Sequence, residues 1–301
     1  MRKVISASRR TDIPAFYSKW LVNRLKAGYV FVQHPFTRRM LHVSLKPEDI
    51  SAIVFWSKNY SPLLDKLQTI ERISPNLFFH FTITSAQELE LNTPHFKDAI
   101  RDYIFLAKRY SPSRIIWRFD PICITENTPF SIHEERFLQY IDLFNGHASM
   151  CIISFVQPYK KVLNNLRKYA DQTLCEQTFE DKRKYALQLA MHAEKKNIQL
   201  FACCNDYLLS RKILKARCID GNYLTRVFRS PLESHSAPSR KHCACTKSID
   251  IGAYNTCAHG CLYCYATMDK NIALGVVGAH NPYWNALHKH VDETTICAPS
   301  N

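Results

Sequence analysis

Three cysteines, Cys257, Cys261 and Cys264, stand in the string NTCAHGCLYCYA (255–266) in the pattern C-x3-C-x2-C. Iron–sulfur clusters are held by thiolates, and a four-iron cluster has four corners to hold. Three cysteines this close on one loop hold three irons and leave the fourth open to a substrate or cofactor. Gly260 eases the tight path such a loop must take. A second pattern competes with the first. Cys243 and Cys245 precede Cys261 and Cys264 with fifteen residues between the pairs. That is a separation at which two cysteine pairs hold structural zinc. Its first pair, C-x-C, is tighter than the usual C-x2-C, and it leaves Cys257 without a role. Cys243 and Cys245 therefore stand as an expected second metal site, a cap on the cluster or a redox pair.

The elements that must position these thiols alternate between strand and helix. Apolar runs at 3–8, 51–57, 77–84, 114–121, 150–156 and 198–204 predict strands, and 29–33 with 40–45 predicts a hairpin. Helical spacing marks 14–28, 61–73, 94–110, 131–145, 159–170 and 178–196, and a short helix is expected at 281–290 with His288 and His290 facing solvent. Alternation at this spacing predicts a parallel α/β fold, and strands apolar on both faces fit it. With only seven glycines and no G-x-G-x-x-G turn, a dinucleotide-binding doubly wound sheet is disfavoured. The expectation is a full or partial TIM-like (β/α) barrel over 1–228, a Pro- and Ser-rich linker at 229–242, and a cluster-binding segment at 243–301 that closes the barrel.

Strand ends in such a fold gather on one face, where catalytic residues collect. Lys58, Arg118 and Asp120 are the expected catalytic residues there. Thr82, Thr84, Ser154 and Gln157 are the expected cofactor contacts. Asp12, two residues before Pro14, reads as a helix cap. The buried-looking cysteines Cys123, Cys151, Cys203 and Cys204 lie in apolar runs and read as small core residues.

The chain of 301 residues carries a formal charge of +14 and twelve cysteines. The charge favours an anionic partner, nucleic acid or a phosphorylated metabolite. No apolar run approaches the length of a membrane span, and the N-terminus lacks the apolar core of a signal peptide, so no membrane partner and a cytoplasmic location are expected.

The C-x3-C-x2-C pattern with an aromatic, Tyr263, before its last cysteine resembles the signature of radical S-adenosylmethionine enzymes. The wider YNTCAHGCLYCYA is similar to the cluster loop of the spore photoproduct lyase branch. Across most of residues 3–266, SASRRTDIPAFY, VFWSKN and IIWRFDP together with the cysteine loop resemble a bacterial family of unknown function. The superfamily resemblance implies a [4Fe-4S] cluster on Cys257, Cys261 and Cys264, with S-adenosylmethionine chelated to the open iron. It also implies Tyr263 beside the adenine, and an electron donor such as flavodoxin or ferredoxin. A 5′-deoxyadenosyl radical would then abstract hydrogen from the substrate. Superfamily loops follow the first strand, whereas this one comes last, so a circular permutation is implied with 248–254 beside 3–8. The Gly-Gly-Glu string that binds the methionine amino group is absent, and strand-end residues must replace it. The alternative is a nucleic-acid-binding protein with a structural zinc or iron–sulfur site.

Overall fold

The computed structural model describes residues 2–35 and 37–292. The chain begins with β1 (Lys3–Ala7), α1 (Ile13–Phe16) and α2 (Ser18–Ala27). The sequence predicts one helix here. Tyr17, at φ −132°, splits it in two, and Gly28 ends it in the left-handed region that glycine adopts without strain. The expected hairpin is present as β2 (Tyr29–Gln33) and β3 (Met40–Ser44), paired antiparallel. Then follow β4 (Ile50–Ser57), α3 (Ser61–Leu64), α4 (Leu67–Ile73), β5 (Leu77–Thr82), α5 (Phe96–Tyr110), β6 (Ile115–Ile122), α6 (Phe130–Phe144) and β7 (Met150–Phe155). The chain continues through α7 (Lys160–Ala170), α8 (Phe179–Glu194), β8 (Gln199–Ala202), β9 (Ile213–Lys215), α9 (Gly221–Phe228), β10 (Ile249–Asp250) and α10 (Lys270–Gly278).

Eight strands form one parallel sheet in the order β10-β1-β4-β5-β6-β7-β8-β9. The sheet is open at β9 and β10 among the described residues, so the ring of a closed barrel is not completed. The fold is α/β with a large parallel sheet. The C-terminal segment returns to the first strand: Ile249 pairs with Ile5 and Asp250 with Ser6, both parallel.

Side chains alternate across each strand. One face carries Ile53, Phe55, Leu77, Phe79, Phe81, Ile115, Trp117, Phe119, Cys151 and Ile153, buried in the main core with the helices. Trp117 is fully buried there and stacks on Phe137 at 5.0 Å. Truncating an aromatic in such a place costs about 3–5 kcal/mol. The other face carries Val4, Ala52, Val54, Phe78, Ile116 and Ile152. It is covered by Ile219 and by Leu224 and Phe228 of α9. This second core is why the strands read as apolar on both faces.

The segment expected as a linker is tied down. Ala237 N donates to Cys245 O at 2.9 Å and Lys247 N to His235 O at 2.9 Å, so 235–237 runs antiparallel to 245–247. The helix expected at 281–290 is a series of turns, and α10 lies earlier, capped by Asp269. His290 is exposed and His288 half-buried. No helix among the described residues is long and apolar enough to cross a membrane.

Candidate functional site

The second face changes character toward the C-terminal ends of its strands. Below lie Val54, Phe78 and Ile116; two residues on come Trp56, His80 and Arg118. Trp56 and His80 are register partners on β4 and β5, and their rings stack at 4.1 Å. The Arg118 guanidinium lies 5.1 Å from the Trp56 ring centre, within cation–π range. Its Nη2 donates to Asp120 Oδ2 at 2.7 Å, and Ser154 Oγ donates to the same oxygen at 3.2 Å. Asp120 Oδ1 is buried with no hydrogen-bond partner. A buried carboxylate oxygen left over in this way is an acceptor site for a bound molecule's donor. Burial opposes the charge of Arg118, but Asp120 and the sulfur of Cys218 hold the guanidinium well above its ordinary range.

The corner between β1 and β10 is organised by Asp250. It accepts from Ser6 Oγ (2.9 Å), Ser8 Oγ (2.5 Å), Arg9 N (2.7 Å), Arg10 Nε (3.1 Å) and Gly252 N (3.0 Å). Burial works to raise this carboxyl, and Arg10, Ser8 and Arg9 overcome it and keep it below the usual range. Gly252 is required by space: a Cβ there would meet Ser8 Oγ at 2.0 Å.

The cysteine loop leaves this corner and is fixed on several sides. Tyr17 Oη donates to Thr256 O at 2.5 Å, and Asn92 Nδ2 to Ala258 O at 2.9 Å. His259 Nε2 lies 2.7 Å from Asp12 Oδ2. Leu262 N donates to Leu89 O at 2.9 Å, and Lys161 Nζ to Tyr265 O at 2.5 Å. Gly260 turns the chain at φ +69°, where glycine is free of strain. Cys257, Cys261 and Cys264 are half-buried free thiols. Burial, then Asp12 and Cys264, push the Cys257 thiol up. Burial likewise raises Cys261, with Lys58 opposing it.

Lys58 joins the loop to the strand ends. Its Nζ donates to Glu90 Oε1 at 2.8 Å and to Tyr263 Oη at 3.1 Å. The hydroxyls of Thr84 and Tyr263 also donate to Glu90 Oε1. Burial opposes the Lys58 charge, but Glu90, then Cys261 and Asp120, hold it above its ordinary range. One ammonium is thus held by Glu90 and Tyr263, and its charge is favoured by a cysteine of the loop and the carboxylate of β6. Among the described residues, no three His, Cys, Asp or Glu side chains are gathered as ligands of a metal ion.

A family model described as a domain of unknown function (DUF1848) matches residues 4–266. The chain belongs to the DUF1848 family. No curated protein matches it. In this DUF1848 chain, Lys58, Thr84 and Tyr263 stand in one hydrogen-bond group around Glu90, and Arg118 and Ser154 in a second around Asp120. Thr82 is the register partner of Arg118 on β5. Gln157 is exposed beyond the end of β7, outside both groups. Tyr263 is buried against Leu89, Val162 and Leu166, with its hydroxyl on Glu90. Asp12 caps α1 as expected, accepting from Ala15 N at 2.9 Å, and it also anchors Ser57, Lys58 N and His259.

Cys243 and Cys245 do not pair with Cys261 and Cys264 as the zinc-ribbon spacing would require. Their neighbours are Cys204 and Cys218. Sequence reasoning missed Glu90, Asp250 and His259. Asp250 did carry a signal, as an acid inside the otherwise apolar IDIG. Glu90 carried none, since its role depends on a loop 173 residues away.

Proposed function

We propose that this DUF1848 chain is an iron–sulfur enzyme of the radical S-adenosylmethionine type, its sheet an open, circularly permuted version of that superfamily's barrel. The observation that carries it is the placement of Lys58. It contacts the Glu90–Tyr263 group under the cysteine loop and feels both Cys261 and Asp120. Tyr263 of the loop therefore reaches polar residues that follow β4 and β5, while Leu262 and Cys261 pack toward α7. Three free thiols on one anchored turn are a suitable donor set for three corners of a cluster. Thiolates sharing a cubane stand further apart than ligands of one ion, so a missing single-ion group does not count against them.

Cys257, Cys261 and Cys264 would hold the cluster. When bound, the cluster and S-adenosylmethionine supply one-electron chemistry that creates a hydrogen-abstracting radical. The ammonium of Lys58 offsets the negative charge of the thiolates. Asp120 Oδ1 offers an acceptor to a donor group of the bound molecule, and Arg118 orients that carboxylate through its other oxygen. Asp250, with Arg9 and Arg10, fixes the corner from which the loop springs. The buried Tyr263 and Leu262 shield the loop from water on the α7 side.

The net charge of +14 supports an anionic substrate, nucleic acid or a phosphorylated compound. Reduced flavodoxin or ferredoxin would supply the electron. Anaerobic reconstitution with iron and sulfide tests the cluster: the protein should gain the broad visible absorption of a four-iron cluster. Alanine at Cys257, Cys261 or Cys264 should remove one four-iron cluster's share of that absorption, a loss of about four irons per chain. Equal reconstitution of all three variants would overturn the assignment.

A further inference from the structure

Five other cysteines, far apart in sequence, meet at the far end of the same sheet face. Cys203 and Cys204 follow β8, Cys218 follows β9, and Cys243 and Cys245 precede β10. Cys203 Sγ lies 3.6 Å from Cys218 Sγ and 3.9 Å from Cys204 Sγ. Cys243 and Cys245 pack in the same cluster, with Cys245 N on Cys243 Sγ at 3.5 Å. The five side chains thus share one group on this face. Cys203, Cys218 and Cys245 are buried, and Cys204 and Cys243 pack against them nearer the surface.

The backbone is bent to bring this about. Adjacent residues of a strand point to opposite faces. Cys204 escapes that rule because it sits at φ 55°, in a region few non-glycine residues adopt. Both members of the doublet therefore reach one group.

Hydrogen-bond donors surround the sulfurs. Arg118 Nη1 donates to Cys218 Sγ at 3.2 Å, Arg240 Nε to Cys204 Sγ at 3.1 Å, and Arg240 Nη2 to Cys203 Sγ at 3.7 Å. Ser239 Oγ and Cys245 N both donate to Cys243 Sγ, at 3.6 and 3.5 Å. A guanidinium has only donors, so each of these sulfurs serves as an acceptor. Hydrogen bonds of this kind to ligating sulfur orient and tune thiolate metal centres.

We propose that Cys203, Cys204, Cys218, Cys243 and Cys245 supply the ligands of a second, thiolate-bound metal centre, separate from the Cys257–Cys264 loop. Its chemistry is that of soft metals on sulfur, a zinc ion or an iron–sulfur cluster. Sulfurs around a tetrahedral zinc stand about 3.8 Å apart, given a Zn–S bond of about 2.3 Å. The two separations of 3.6 and 3.9 Å bracket that value. No three of the sulfurs converge on one ion position, so binding requires the half-buried Cys204 and Cys243 to move toward the buried three. The centre also spans the open edges of the sheet, tying the loop after β9 to the segment before β10. Arg118 connects it to the polar strand ends, with one amino group on Cys218 and the other on Asp120.

This site does not rest on the radical reading, and its test removes the loop cysteines. The full chain carrying Cys257→Ala, Cys261→Ala and Cys264→Ala is purified without oxygen, and zinc, iron and acid-labile sulfide are measured. Retained metal supports the proposal: about one zinc per chain without sulfide gives the zinc form, and iron with matching sulfide gives the cluster form. Adding Cys243→Ser and Cys245→Ser should lower the metal at least tenfold. Because that combination could unfold the chain, Cys204→Ser alone, at a half-buried position, is measured beside it with circular dichroism. It should weaken the metal's resistance to a chelator while the spectrum is kept. A metal-free triple variant, metal that survives the further substitutions, or a Cys203–Cys218 disulfide in anaerobic protein would overturn it.

Discussion

His259 Nε2 lies 2.7 Å from Asp12 Oδ2 and joins the cysteine loop to the turn after the first strand. The two residues are separated by 247 positions in the chain. Asp12 also accepts from Ser57 Oγ at 2.7 Å, Lys58 N at 2.8 Å and Ala15 N at 2.9 Å. One carboxylate thus holds a helix start, the end of β4 and the loop in a single arrangement.

Asp12→Ala removes all four contacts. Loss of the cap costs about 1 kcal/mol, and the buried donors left without an acceptor cost about 1–3 kcal/mol more. Denaturant unfolding should show a loss of about 3 kcal/mol. Amide exchange in 255–266 should accelerate more than exchange in α5 or α6. Unchanged loop protection would show that Asp12 does not position the loop.

Gly252→Ala tests the close approach of the β10 corner to β1. The new methyl would overlap Ser8 Oγ, which is committed to Asp250 at 2.5 Å. Overpacking of this kind costs about 1–3 kcal/mol. Thermal unfolding should fall accordingly, and Gly252→Ala with Ser8→Gly should regain most of the loss. No recovery in the double variant would locate the strain elsewhere.

Lys58→Met leaves the buried Glu90 carboxylate with only the Thr84 and Tyr263 hydroxyls for partners. Breaking a buried pair from one side costs about 3–5 kcal/mol. Lys58→Met combined with Glu90→Gln should be more stable than Lys58→Met alone. A single variant as stable as the parent would mean that the ammonium does not offset Glu90.

His133 predicts a pH dependence of stability. It is fully buried between Ser85 Oγ and Cys123 O, and burial lowers its pKa to about 4. The unfolded histidine titrates near 6.5. Above that pH the ring is neutral in both states. As pH falls from about 6.5 to 4, the unfolded chain takes up the proton first, so stability falls. At about 1.4 kcal/mol per pH unit, the loss over that window is about 3 kcal/mol. Urea unfolding at pH 7 and pH 5 should show the decline. His133→Gln should flatten it, and parallel slopes for the two proteins would contradict the assignment.

Much of the sheet was legible because each strand is an apolar run bounded by helical periodicity. Trp117 and Ile116 bury on opposite faces, which the run IIWRF showed at once. The open edges were not legible. Whether β9 meets β10 depends on residues 216–248, and that segment fills a face of the sheet instead of completing a ring. Helix α10 was missed because Gly275 and Gly278 weaken its pattern, and the true N-cap, Asp269, follows directly on the cysteine loop. Lys58, Arg118 and Asp120 could be placed toward the strand ends from the sequence, and the structure has them at the ends of β4 and β6. The five-sulfur group could not: Cys203 and Cys204 sit in an apolar run, and nothing in the one-dimensional pattern brings Cys218 or Cys243 to them.

The most direct test of the radical chemistry is release of 5′-deoxyadenosine. The reconstituted full-length protein is incubated without oxygen with dithionite and S-adenosylmethionine, and the nucleoside is measured by chromatography. The account predicts 5′-deoxyadenosine and methionine in equal amounts, with none from Cys261→Ala. A fully loaded protein that leaves S-adenosylmethionine intact, or a Cys261→Ala variant that cleaves it equally well, would contradict it.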